Sequence, residues 1–218
     1  MGYQVAIDGP AGAGKSTIAK LVAKEKGFIY VDTGAMYRAL AVHFLDQGIQ
    51  AEDTDKIIQA VGQAEVKIRY EEGIQQVYLN GVNVTGRLRE EAVGNMASKS
   101  SAIPEVRAKL LDLQRGLAQE EDVVMDGRDI GTCVLPEADV KVFLPASVET
   151  RARRRYDELQ EKGVPCDLEE IKADIRERDE RDMTRETAPL RQADDAVLID
   201  SSDMTIPEVT AAIAALCK

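Results

Sequence analysis

Nine residues near the start of the sequence, Gly9-Pro-Ala-Gly-Ala-Gly-Lys-Ser-Thr17, constrain this chain more than any others. Gly9, Gly14, Lys15 and Ser16 fit the spacing G-x-x-x-x-G-K-[ST] of a phosphate-binding loop. Glycine lacks a Cβ, so the backbone from Gly9 through Pro10, Ala11, Gly12, Ala13 and Gly14 to Thr17 can curl into a nest around phosphates. Lys15 would reach the β- and γ-phosphates, and the Ser16 hydroxyl would ligate Mg²⁺. The flanks decide between this loop and a plain glycine-rich turn. Tyr3-Gln-Val-Ala-Ile-Asp8 reads as a short buried strand; Ile18, Leu21 and Val22 then recur at helical spacing until Gly27 supplies a stop. Strand, loop and helix arrive in the required order, and the helix N-terminus adds partial positive charge beneath the phosphates. A nucleoside triphosphate is the expected ligand.

The chain has 218 residues, enough for one α/β unit with insertions. With 28 basic and 39 acidic residues its net charge is −11, which argues against a general field for coating nucleic acid or anionic membrane. Anionic ligands then need local cations, and the arginines from Arg151 to Arg191 are concentrated in one stretch. Cys133, Cys166 and Cys217 contain no C-x-x-C pair, so neither a disulfide framework nor a zinc site is indicated. Nothing resembles a signal peptide, and the apolar stretch from Ala211 to Cys217 is too short to span a bilayer. The expectation is a cytoplasmic protein, without membrane or nucleic-acid partners. His43 lies in an apolar helical segment, which favours packing over catalysis.

Five segments rich in Val, Ile, Leu and Phe, at 3–8, 28–31, 123–126, 140–144 and 196–200, alternate with helical ones and predict a five-stranded parallel sheet covered on both faces. Ligands of such sheets collect at the carboxyl ends of the strands. The second strand leads into Asp32-Thr-Gly-Ala-Met-Tyr-Arg38, where Gly34 is read as a break and Tyr37-Arg38 as the opening of a helix. Arg38 there can meet an anion or be simply solvated. Residues 66–86 instead predict antiparallel strands, with turns at Glu72-Gly73 and Asn80-Gly81, as a small β insertion. Helices through Ser98 and from Glu105 to Gln119 follow, Ser98 and Arg107 bracketing their junction. Val123-Val-Met-Asp-Gly-Arg-Asp129 ends a buried strand in a charged cluster, either a salt-bridge set around Arg128 or a ligand site.

Beyond Pro145, a helix carrying Arg151, Arg153, Arg154 and Arg155, a Gly163-Val-Pro165 break and a charged helix from about Leu168 to Glu186 predict a helical hairpin lid. Arg178, Arg181, Asp182 and Arg185 share one helical face, three cations to one acid, either a solvated charge run or a surface for phosphate. A last strand to Asp200 and a helix from Ile206 to Leu216 close the chain.

These parts suit transfer of the γ-phosphoryl group of ATP, helped by Mg²⁺, to an acceptor beside the loop. A hydroxyl acceptor calls for a base, whereas a phosphate acceptor calls for cations, and the chain is rich in arginine. The motifs Ile7-Asp-Gly-Pro10, Asp32-Thr-Gly-Ala-Met-Tyr-Arg38, Asp126-Gly-Arg-Asp-Ile-Gly131 and Glu177-Arg-Asp-Glu-Arg-Asp182, in that order, resemble the bacterial cytidylate kinase family essentially end to end. The resemblance implies phosphorylation of CMP or dCMP by ATP. It implies a core of about 1–40, 87–145 and 187–218, a monophosphate-binding region of about 41–86, a lid of about 146–186, and a monomer. Residue by residue, it implies ATP on Gly9 to Thr17 and Arg154, with Arg38, Arg128 and Arg185 around the acceptor phosphate beside Thr33 and Tyr37. Ser98, Arg107 and Asp129 would take the cytosine, and Arg178 with Asp182 the sugar. Lys15, Arg38, Arg128 and Arg185 are the implied catalytic cations. Thr33 stands where the family often has Ser, which keeps the hydroxyl. Other small-molecule kinases, of uridylate or shikimate type, and a nucleotide switch remain the alternatives; no N-K-x-D motif supports the last.

Overall fold

The computed structural model describes residues 2–218. In chain order its strands and α-helices are β1 (Gln4–Asp8), α1 (Lys15–Lys26), β2 (Ile29–Asp32), α2 (Thr33–Asp46), α3 (Thr54–Gln63), β3 (Val66–Glu71), β4 (Ile74–Leu79), β5 (Val82–Asn83), α4 (Glu91–Ser100), α5 (Pro104–Glu120), β6 (Val123–Gly127), β7 (Val140–Phe143), α6 (Val148–Glu161), α7 (Leu168–Thr184), β8 (Val197–Leu198) and α8 (Ile206–Leu216). The five predicted core strands form one parallel sheet in the order β2-β6-β1-β7-β8. The last is only two residues long, shorter than the apolar run had indicated.

Successive strand side chains point to opposite faces, and both faces of this sheet are covered. Val5 and Ile7 join a core with Ile18, Ala19 and Val22 of α1 and Val209 and Ile213 of α8. Ala6, Val123 and Met125 belong to the opposite core, with Met36, Leu40 and Phe44 of α2 and Val106 and Leu110 of α5. That is why these strands read as apolar runs without alternation. His43 is buried in α2, its Nε2 3.1 Å from the Ala60 carbonyl oxygen, a packing position.

Gly34 does not break the chain. Asp32 caps α2, its carboxylate accepting from the Ala35 N–H at 2.9 Å, so the helix opens at Thr33 and Gly34 lies in its first turn. The missing Cβ serves clearance instead: one built there would lie 3.1 Å from Asp32 Oδ1 and 3.4 Å from both terminal nitrogens of Arg38.

The insertion is a three-stranded antiparallel sheet, β3-β4-β5. Its predicted turns are real, with positive φ at Glu72 (51°) and Gly73 (76°) and at Asn80 (49°) and Gly81 (82°), as tight hairpins require. It has no core of its own, since Val77, Leu79 and Val84 bury into the same cluster as α2. The hairpin α6–α7 forms as predicted, but α7 stops at Thr184. Arg185 is thus the residue that ends the helix, not part of its face. No helix among the described residues is long and apolar enough to cross a membrane.

Candidate active site

The carboxyl ends of β1, β2 and β6 open into a cleft of about 690 Å³. Residues 11–17 of the loop form one wall; Thr33, Tyr37, Arg38, Ser98, Arg107, Arg128, Asp129, Arg154, Arg178, Asp182 and Arg185 also line it. Residues as far apart in the chain as Ala11 and Arg185 therefore share one cavity. Gly9 and Pro10 lie behind the wall. Gly9 has φ +154°, and a Cβ on it would sit 2.3 Å from the Leu144 carbonyl oxygen, so only glycine fits.

Lys15 is buried in the loop it serves, its Nζ donating to the Pro10 carbonyl at 2.7 Å. Burial, then the neighbouring Arg128 cation, lowers its pKa to about 7, against the pull of Asp126 and Asp8. The Ser16 hydroxyl donates to Asp126 Oδ2 at 2.9 Å, and the Tyr30 hydroxyl donates to Asp126 Oδ1 at 2.8 Å. Burial, then the facing Asp32 carboxylate, raises the Asp126 pKa. The Thr33 hydroxyl donates to the Asp126 carbonyl at 2.7 Å, inside the protein.

The charged cluster after β6 is not a salt-bridge set around Arg128. Asp129 bonds Arg107 and lies 3.4 Å from Arg185 Nη2, while Arg128 Nε donates to Asp182 Oδ2 at 2.8 Å. The Arg107 guanidinium also stacks over Tyr37, 5.4 Å from the ring centroid. Burial, then repulsion from Arg107, lowers the Arg185 pKa, so this cation is held at an electrostatic cost that an incoming anion would relieve.

The predicted excess positive charge on α7 is met by protein partners. Arg178 bonds Asn95 at 2.6 Å and Asp174 at 3.1 Å; Arg181 bonds Ser98 at 2.8 Å and Glu177 at 2.5 Å. Arg154 reaches over the loop from α6, donating to the Ser201 carbonyl at 2.9 Å. Arg38 is more exposed, and its ion pair with Asp32 is long, at 3.8 Å.

Sequence reasoning assigned no role to Asp8. Its carboxylate accepts from the Ile130 N–H (2.8 Å) and the Gly131 N–H (2.7 Å), tying the end of β1 to the turn after Asp129. Burial outweighs those two bonds and raises its pKa to about 6. A carboxylate closing an otherwise apolar strand was the available signal. Tyr30 gave no such signal, because a tyrosine in a strand is usually a packing residue.

Ser16 with the Asp126 carboxylate is a hard-oxygen donor set that suits Mg²⁺, which keeps most of its shell for water and phosphate oxygens. Among the described residues no group of three or more His, Cys, Asp or Glu could hold a metal by itself.

A phosphate loop beside a cleft flanked by arginines from both the sheet and a helical hairpin defines the class of P-loop phosphotransferases. Residues 5–218 match the family described as cytidylate kinase, and the chain belongs to that family. It is 50% identical over 205 residues to a cytidylate kinase of Caldicellulosiruptor saccharolyticus, covering 94% of this chain and 91% of that one. It is 50% identical over 211 residues to one of Streptococcus sanguinis, covering 96% and 94%. In fold alone it resembles an uncharacterised protein of Eubacterium ventriosum, with TM-score 0.51, 14% identity and coverage of 98% and 96%.

Proposed function

We propose that this chain transfers the γ-phosphoryl group of ATP to CMP or dCMP, giving ADP and CDP or dCDP, within pyrimidine nucleotide metabolism. One observation carries the reading: the phosphate loop and Arg38, Arg128 and Arg185 line the same cleft. Two nucleotides brought end to end repel through their phosphates. Three guanidinium groups at the acceptor and Lys15 at the donor offset that repulsion and stabilise charge on the phosphoryl group in flight. ATP lies along residues 9–17 with Arg154 above it.

The acceptor phosphate sits among Arg38, Arg128 and Arg185, beside Thr33 and Tyr37. Cytosine presents an amino donor next to acceptors, so the Asp129 carboxylate and Arg107 guanidinium match its edge. A carboxylate has about four acceptor sites, so Asp129 can take the amino group without releasing Arg107. Uracil would set an oxygen against the carboxylate, and such a polar mismatch is discriminated strongly in a dry site. Ser98 completes the base site, and Arg178 and Asp182 the sugar site.

Ser16 and Asp126 are the residues that would hold Mg²⁺, which supplies neutralising charge to the β- and γ-phosphates. The lid of about 146–186 closes over both nucleotides, excluding water as a competing acceptor. The three free thiols suit a reducing compartment, which supports a cytoplasmic location.

The test is a coupled ADP-release assay across acceptors. CMP and dCMP should be phosphorylated far faster than UMP, AMP, GMP or shikimate; a preference for any of these overturns the reading. Lys15→Ala and Arg185→Ala should each lower turnover by roughly 10²-fold.

A further inference from the structure

We propose that Gln75 is a positioning residue for the acceptor phosphate, acting from the inserted sheet through Asp32 on Arg38. The inference deepens the function proposed above and rests on it.

β2 is an edge strand of the parallel sheet. The Ile29 N–H donates to the Asp122 carbonyl at 2.8 Å, toward β6, so Tyr30 and Asp32, at the alternate positions, turn their main-chain groups to the open edge. The insertion closes that edge with side chains. The Tyr70 hydroxyl donates to the Tyr30 carbonyl at 3.1 Å. Gln75 engages both main-chain groups of Asp32: Oε1 accepts from its N–H at 2.9 Å, and Nε2 donates to its carbonyl at 3.1 Å. Tyr70 and Gln75 are directly opposed across β3 and β4, so they act from one face. One primary amide thus replaces the peptide that a sixth strand would have offered.

The residue gripped this way is the one that aims Arg38. The Asp32 carboxylate caps α2 through Ala35 and faces Arg38 Nη1 at 3.8 Å, with Gly34 leaving the two room to approach. Among the described residues, Asp32 is the ion-pair partner of Arg38. With its backbone held from outside the sheet, Asp32 fixes where the first turn of α2 starts and where Arg38 stands when the acceptor phosphate arrives. A purely edge-covering role for Gln75 would affect stability alone and treat both substrates alike.

The experiment compares the parent chain with Gln75→Ala, Arg38→Ala and the double variant, measuring KM for CMP and for ATP and the melting temperature. Gln75→Ala should raise KM for CMP roughly fivefold, in line with losing two neutral hydrogen bonds, and leave KM for ATP within about twofold. In the Arg38→Ala background the same substitution should add nothing, because its effect travels through that guanidinium. Gln75→Glu keeps the acceptor but sets a carboxylate against the Asp32 carbonyl, and should raise KM for CMP at least as much. An unchanged KM for CMP, equal rises for both substrates, or full additivity with Arg38→Ala overturns the inference while leaving the proposed function standing. A parent chain that does not phosphorylate CMP removes both.

Discussion

The Arg151 guanidinium meets the Asp179 carboxylate through two parallel bonds, Nη1 to Oδ1 at 2.9 Å and Nη2 to Oδ2 at 2.5 Å, joining α6 and α7 inside the protein. The same guanidinium donates to the Ala146 carbonyl at 2.8 Å and, from Nη1, to the Ala11 carbonyl of the phosphate loop at 3.0 Å. The α6–α7 hairpin and the phosphate loop are therefore joined by one buried, well-satisfied cation.

Removing one partner of such a pair leaves the other charge buried and uncompensated, at a cost of about 3 kcal/mol or more. Asp179→Ala should lower the melting temperature by about 10 °C in a chain of this size. The double replacement Arg151→Met with Asp179→Leu should recover part of that loss, since no charge is left stranded although the Ala146 and Ala11 carbonyls lose their donor. Calorimetric scans of the three proteins check this. Equal melting temperatures for Asp179→Ala and the parent would contradict it.

The Lys15 pKa of about 7 makes ATP binding pH-dependent in a defined direction. Above that value the free protein holds Lys15 neutral, and the arriving phosphates favour the ammonium, so a proton is taken up on binding. Below it the side chain is already charged and takes up none. For stability the sign is separate. The folded pKa lies below the unfolded one, so the burial penalty is full under pH 7 and relieved as pH rises toward the ordinary lysine value. Titration calorimetry at pH 8 in buffers of different ionisation enthalpy should show uptake approaching one proton, absent in Lys15→Ala.

Asp129 bonds Arg107 and faces Arg185, so its replacement tests base selection. Asn at this position keeps the shape but offers both an acceptor and a donor, so it can meet the amino group of cytosine or the oxygen of uracil. Asp129→Asn should narrow the ratio of kcat/KM for CMP over UMP by roughly tenfold or more, mostly through loss for CMP. Steady-state kinetics with both acceptors decide it; an unaltered ratio would separate Asp129 from base recognition.

Much of this arrangement was legible from residue order. The phosphate loop is local chemistry: its glycines, lysine and serine act within nine residues, and the strand and helix beside it declare themselves by periodicity. The hairpins at Glu72-Gly73 and Asn80-Gly81 were equally readable, because their turns need positive φ at adjacent positions. Gly34 was misread for the opposite reason. Its φ is ordinary, and its missing Cβ matters only because Asp32 and Arg38 meet across it.

Alone, the sequence determined where the loop lies, most of the strands and helices, and that arginines would gather in the second half, since backbone geometry and apolar periodicity are properties of neighbours in the chain. It did not determine the helix Thr54–Gln63 or the start of α2. Only the tertiary structure decided which charge meets which. Asp8 holds a turn 122 positions away, Asp129 pairs with Arg107 and not with Arg128, and Gln75 grips Asp32. Hydrogen bonds and ion pairs depend on distances of a few ångströms and on exclusion of water, and both come into being when the sheet, the insertion and the α6–α7 hairpin have packed.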